Sequence, residues 1–172
     1  MSYWRLHYHA VWHCKYSDPL ITPELEPKLY EYLIHKGFKL GAIMHGVGGI
    51  ENHTHVVFSL PPKFAVADFI GQLKGSSSHW VTHVLKYPPE FQWQEGYGVL
   101  SFGDRHMKTI LRYVKNQKKH HQKQRTIEVM EKWCDEEDGV VGFWDGDIPP
   151  GDETRRSDPP GNESPGSVRK DG

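Results

Sequence analysis

His53 and His55 bracket a single threonine at the head of the run Val56-Val57-Phe58-Ser59-Leu60. In an extended strand, residues two apart share a face. Both imidazoles then project together, while Val56, Phe58 and Leu60 turn to the opposite, core-forming side. Two imidazoles on a rigid strand form a two-point seat for a metal ion. The spacing by itself is weak evidence, because the chain holds 12 histidines and repeats the pattern at His7-Tyr8-His9. On spacing alone, a pair of surface histidines is the better reading.

A second set lies in Leu111-Arg112-Tyr113-Val114-Lys115-Asn116-Gln117. Four residues apart on a helix, Tyr113 and Gln117 share a face one turn from each other. Met107, Ile110, Leu111 and Val114 form the apolar stripe, and the pair sits on its shoulder. A tyrosine hydroxyl can act as a nucleophile, but periodicity alone describes an ordinary half-buried tyrosine. Around it, Arg105, Lys108, Arg112, Lys115, Lys118, Lys119, Lys123 and Arg125 follow one another with no acid between them. Such runs usually form a solvated face; beside a tyrosine, a one-signed helix also suits contact with phosphates.

These residues need elements to hold them. Trp4, Leu6, Tyr8, Ala10 and Trp12 alternate with Arg5, His7, His9 and His13, which predicts a first strand over 3–13 with a solvated, cationic second face. Thr22-Pro23 opens a helix, with Pro27 able to delay its start and Gly37 as its stop. Strands are expected at 41–50 and 53–60, with Gly48-Gly49 at or near their turn or a bulge. A second helix is expected over 64–86, weakened at Gly75-Ser76-Ser77-Ser78 and ended by Pro88-Pro89. A strand over 91–102 follows, then a third helix capped by Asp104 and running to about Gln122. The order β-α-β-β-α-β-α predicts an α+β fold: an antiparallel sheet with helices packed on one side.

Charge divides the chain. Residues 1–130 carry 16 Lys/Arg against 10 Asp/Glu, and residues 131–172 carry 5 against 12, so the overall charge of −1 conceals a basic body and an acidic tail. The body suits a polyanionic partner. Residues 145–172 are Pro/Gly-rich with few large apolar side chains, and are expected to be a disordered tail after a domain spanning 1–144. No apolar run approaches the roughly 20 residues of a membrane span, and Cys14 and Cys134 form no metal-type pair. A cytoplasmic setting is the expectation.

Taken together, the motifs resemble the single-tyrosine HUH transposases of the insertion-sequence 200/605 type. The resemblance runs through His9-Ala10-Val11-Trp12 with Lys15-Tyr16, Asn52-His53-Thr54-His55-Val56, Gln72-Leu73-Lys74-Gly75, Trp93-Gln94-Glu95-Gly96-Tyr97 and Tyr113-Val114-Lys115-Asn116-Gln117, with His120 and His121 beyond. Thr54 departs from it, since a hydrophobic residue usually separates the paired histidines; the acidic tail departs too. The resemblance implies a ferredoxin/RRM-like HUH fold. It also implies cleavage and rejoining of single-stranded DNA through a 5′-phosphotyrosine on Tyr113. His53, His55 and Gln117 would hold Mg2+ or Mn2+, and Arg105, Lys108, Arg112, Lys115, Lys119 and Lys15 would bind DNA. A homodimer recognising a DNA hairpin at each element end is implied as well. Three other readings stay open at this level: a non-catalytic nucleic-acid-binding module, a phosphoesterase using water, and a domesticated nickase.

Overall fold

A computed structural model of the chain describes residues 3–87 and 91–133. The elements are β1 (His7–His13), α1 (Glu26–Lys39), β2 (Ile43–Ile50), β3 (His53–Ser59), α2 (Val66–His79), β4 (Gly98–Phe102), α3 (Met107–Lys115), α4 (Gln117–Gln122) and α5 (Glu128–Glu131). The four strands form one sheet in the order β2-β3-β1-β4, every neighbouring pair antiparallel. The α+β class is as expected. Helices α1 and α2 supply the expected layer on one side, and α3 to α5 add a second, shorter layer over the other.

The main core lies beneath α1 and α2. Leu29 and Leu33 of α1 and Phe69, Ile70 and Leu73 of α2 bury against Ala10 and Trp12 of β1 and Val56 and Phe58 of β3. Phe58 and Phe69 meet with ring centroids 4.6 Å apart. The side of β1 expected to be solvated is covered instead: His7 and His9 are buried, because α3 to α5 lie over that face. Thr54, the departure from the family pattern, turns to the core side and satisfies its hydroxyl on the Gly48 carbonyl at 3.2 Å.

Element ends differ from expectation where tertiary contacts intervene. Helix α1 starts late, with Pro27 in its first turn, as the proline allowed. It passes through Gly37, whose missing side chain makes room for the Met44 thioether; the left-handed residue is Gly41, at φ +87°. Gly48 and Gly49 lie within β2, the turn being Glu51-Asn52 and the register shift falling between Met44 and Gly46. Helix α2 is regular through the serines and becomes a π turn only at Trp80–Val84. Strand β4 is shorter than expected. The Glu95 and Gly96 carbonyls accept hydrogen bonds from Lys74 Nζ at 2.6 and 2.8 Å, so they are committed away from a ladder. Pro88-Pro89, Cys134 and the 145–172 tail lie outside the described residues. Among the described residues, no helix is long and apolar enough to cross a membrane.

Candidate active site

The site forms where α3, α4 and α5 cross the sheet face that carries His53 and His55. In the register, His13 lies opposite His53 and Val11 opposite His55, so the His9 and His13 rings share that face with the pair. The chain does not hold Tyr113 and Gln117 on one continuous helix. It breaks at Asn116 (φ −105°, ψ 21°), whose side-chain amide donates to the Arg112 carbonyl at 2.8 Å. Asp104, expected as a cap, makes no capping bond; its carboxylate meets His7 Nε2 at 2.6 Å and Arg5 at 3.4 Å. Helix α3 comes close to β2 because Gly48 offers only a hydrogen where the Val114 carbonyl lies.

His53, His55, Tyr113 and Gln117 are all buried, each at most 3% exposed. They meet at a residue the sequence reading missed, Glu131. Its Oε2 lies 3.4 Å from both His53 Nε2 and His55 Nε2 and 3.6 Å from His121 Nε2. Its Oε1 accepts hydrogen bonds from the Tyr113 hydroxyl and, at 3.4 Å, from the Gln117 amide. The Ile127 backbone N–H donates to the Tyr113 oxygen at 3.0 Å. The only sequence signal for this residue is that Glu128 and Glu131 are the first acids after the basic run. Nothing in the spacing separates them; Glu128 is 87% exposed and pairs with Lys132, whereas the Glu131 side chain is 18% exposed.

Contacts at Nδ1 orient the two imidazoles. His53 Nδ1 lies 2.8 Å from the Asn52 side-chain oxygen, an obligate acceptor, so Nδ1 donates there and Nε2 faces Glu131. His55 Nδ1 lies 2.9 Å from His9 Nε2. That contact leaves His55 Nε2 facing Glu131. Burial, with His55 second, pushes His9 down to about 3. Burial also lowers His55, so both rings are neutral near neutrality. Burial alone would raise the Glu131 carboxyl; hydrogen bonding and charge from His53, His55 and Tyr113 hold it far below the usual carboxylate range. Burial, followed by the Glu131 contact, pushes Tyr113 up to about 12.

The donor set fits a divalent cation. Nε2 of His53, His55 and His121 and Oε1 of Gln117 are buried with no hydrogen-bond partner. Imidazole nitrogens gathered beside a carboxylate are donor types that a divalent cation takes. A cavity of about 390 Å³ opens onto the cluster, lined among others by His13, His53, Glu131 and Trp133. The expected phosphate contacts lie apart from this buried group. Arg105, Lys108, Arg112, Lys115 and Lys119 are exposed; Lys108, Arg112 and Lys115 follow at helical spacing on α3, with Arg105 before it and Lys119 on α4. Lys15 is exposed and donates to Gln92 at 3.0 Å, while Lys118 is drawn off by Glu26 at 2.5 Å.

A four-stranded antiparallel sheet with packed helices is the fold the family resemblance implied, and comparison with known proteins agrees. Residues 2–117 match the family model described as Transposase IS200 like, and the chain belongs to that family. It is 24% identical over 121 residues to the ISDra2 transposase TnpA of Deinococcus radiodurans, covering 66% of this chain and 85% of that protein. Its fold is similar to a crystal structure of a candidate transposase from Deinococcus radiodurans R1, with a TM-score of 0.55 and 24% identity over 68% of this chain and 95% of that one. A REP-associated tyrosine transposase, solved bound to a REP hairpin, is similar with a TM-score of 0.50 and 12% identity, over 73% and 76% of the two chains.

Proposed function

We propose that this protein cleaves and rejoins single-stranded DNA at element ends, with Tyr113 as nucleophile and a divalent cation held by His53, His55 and Gln117. The observation that carries this reading is one buried cluster in which the Nε2 atoms of His53 and His55, the Gln117 amide and the Tyr113 hydroxyl all meet the Glu131 carboxylate. The Tyr113 oxygen attacks a backbone phosphorus, forming a P–O bond to tyrosine as the bond to the 3′ oxygen breaks. The phenolic proton leaves and the departing strand gains one as a 3′ hydroxyl. The 5′-phosphotyrosine retains the bond energy, so a later 3′ hydroxyl reverses the step without ATP. When bound, the cation polarises the scissile phosphate and offsets its growing charge. Mg2+ or Mn2+ suits the oxygen donor; the histidines also admit Zn2+.

Recognition of a DNA hairpin, action as a homodimer and a cytoplasmic setting belong to the same proposal. The hairpin in the REP-associated relative supports the first. The exposed Arg105, Lys108, Arg112, Lys115 and Lys119, with Lys15, form the proposed phosphate surface. The acidic 145–172 segment, outside every proposed site residue, is proposed to be a dispensable tail. The test is cleavage of a labelled single-stranded hairpin DNA in Mn2+. Cutting should stop on chelation and in His53→Ala and His55→Ala. Cutting that survives in both variants would move the cation elsewhere.

A further inference from the structure

Glu131 is not a ligand in the reading above, yet its carboxylate occupies the centre of the cluster. Oε2 is equidistant, at 3.4 Å, from the two Nε2 atoms proposed to hold the cation. Donor atoms sharing one ion at about 2.1 Å stand roughly 3–3.4 Å from each other, depending on coordination geometry. One ligand atom each from His53, His55 and Glu131 lies within 4.8 Å of the others. The approach is built into the fold. Met130 is buried beside Glu131, and Gly98 of β4 has no side chain where the Lys132 carbonyl lies. The segment carrying Glu131 therefore has its own seat on the sheet.

We propose that Glu131 is a further ligand of the cation, delivered by α5, and that its second oxygen holds the Tyr113 hydroxyl beside that cation. The inference rests on the reading of His53 and His55 as cation ligands and extends it in two respects. It brings a residue beyond the 2–117 family match into the site. It also supplies a negative charge that two imidazoles and an amide lack. A carboxylate favours hard cations, so Glu131 tilts a nitrogen-rich site toward Mg2+ or Mn2+ and away from Zn2+.

Cation binding by the full chain tests this without any cleavage assay. Mn2+ and Zn2+ affinities would be measured calorimetrically for wild type, Glu131→Gln, Glu131→Asp and His53→Ala, with circular dichroism confirming the fold. Glu131→Gln keeps the shape and removes the charge. It should weaken Mn2+ by roughly 10-fold or more, as loss of even an outer-shell partner does, and weaken Zn2+ less, so the Mn2+ to Zn2+ preference falls. Glu131→Asp keeps the charge and should retain more of that preference than Glu131→Gln; it decides the matter if the glutamine variant does not fold. Mn2+ binding by Glu131→Gln equal to or tighter than wild type overturns the proposal, since the carboxylate would then merely fill the space of a phosphate. Wild-type affinity in His53→Ala, or no binding by wild type, overturns the underlying cation site instead.

Discussion

At the level of single residues, the site depends on which nitrogen of each histidine is left free. Asn52 and His9 each contact one Nδ1, which leaves both Nε2 atoms facing Glu131 Oε2. His9→Ala is therefore expected to lower cation affinity by roughly 10–100-fold, as loss of a ligand's orienting partner does, although His9 touches no substrate. His7→Ala, whose ring engages Ser59 and Asp104, should leave cleavage intact. Calorimetry with Mn2+ separates the two, and equal behaviour would sink the orienting role. His9 also sets a pH dependence. Its folded value near 3 lies below the ordinary 6.5, so the unfolded chain binds the extra proton first as pH falls. Its contribution is complete above pH 6.5 and is lost as pH drops toward 3, at up to about 1.4 kcal/mol per unit. Thermal melts in chelator should show a shallower acid loss in His9→Asn than in wild type; parallel curves would contradict the assignment. That His53, His55, Tyr113 and Gln117 belong together was legible only through the family resemblance, since spacing alone favoured surface histidines and an ordinary tyrosine. Glu131 and His9 were not, because proximity from another part of the chain gives them their roles.

At the level of elements, backbone approach places Tyr113, the proposed nucleophile. Gly48 of β2 lets the Val114 carbonyl settle against the sheet, one residue from Tyr113. A methyl group there collides with backbone, which cannot swing aside as a side chain can. Gly48→Ala should shift α3, lower cleavage at least tenfold (about 1.4 kcal/mol of activation free energy) and leave the fold intact by circular dichroism. Wild-type activity in that variant would show that α3 tolerates displacement. The strands and main helices could be read from alternation and apolar spacing. Their limits could not: Gly37 packs inside a helix, Lys74 draws backbone carbonyls out of β4, and the chain breaks at Asn116 between Tyr113 and Gln117. Each depends on a partner distant in sequence or on a backbone angle that pattern does not encode.

At the level of the whole molecule, the basic body is the proposed DNA surface and the buried site the proposed place of chemistry. The surface carrying Lys115 and Lys119 is exposed and screened by salt, so it should contribute affinity without sequence preference. Binding of a single-stranded hairpin should weaken with salt at a log–log slope of roughly −0.7 per phosphate neutralised. Lys115→Ala with Lys119→Ala should flatten that slope by up to about 1.4, while the preference for a hairpin survives. An unchanged slope would place the DNA on another face. The charge division that suggests this surface was plain in the sequence, although net charge alone hid it.

The central claim is that Tyr113 becomes covalently joined to DNA, and one measurement addresses it directly. The full chain would be incubated with a labelled single-stranded hairpin DNA and Mn2+, denatured, and resolved for protein that still carries label, with peptide mass spectrometry locating the attachment. Wild type should carry a 5′-phosphodiester on the Tyr113 oxygen. Tyr113→Phe, which removes only the hydroxyl, should bind the hairpin nearly as tightly and carry none. Label retained by Tyr113→Phe, or mapped to another residue such as Tyr97, would contradict the account.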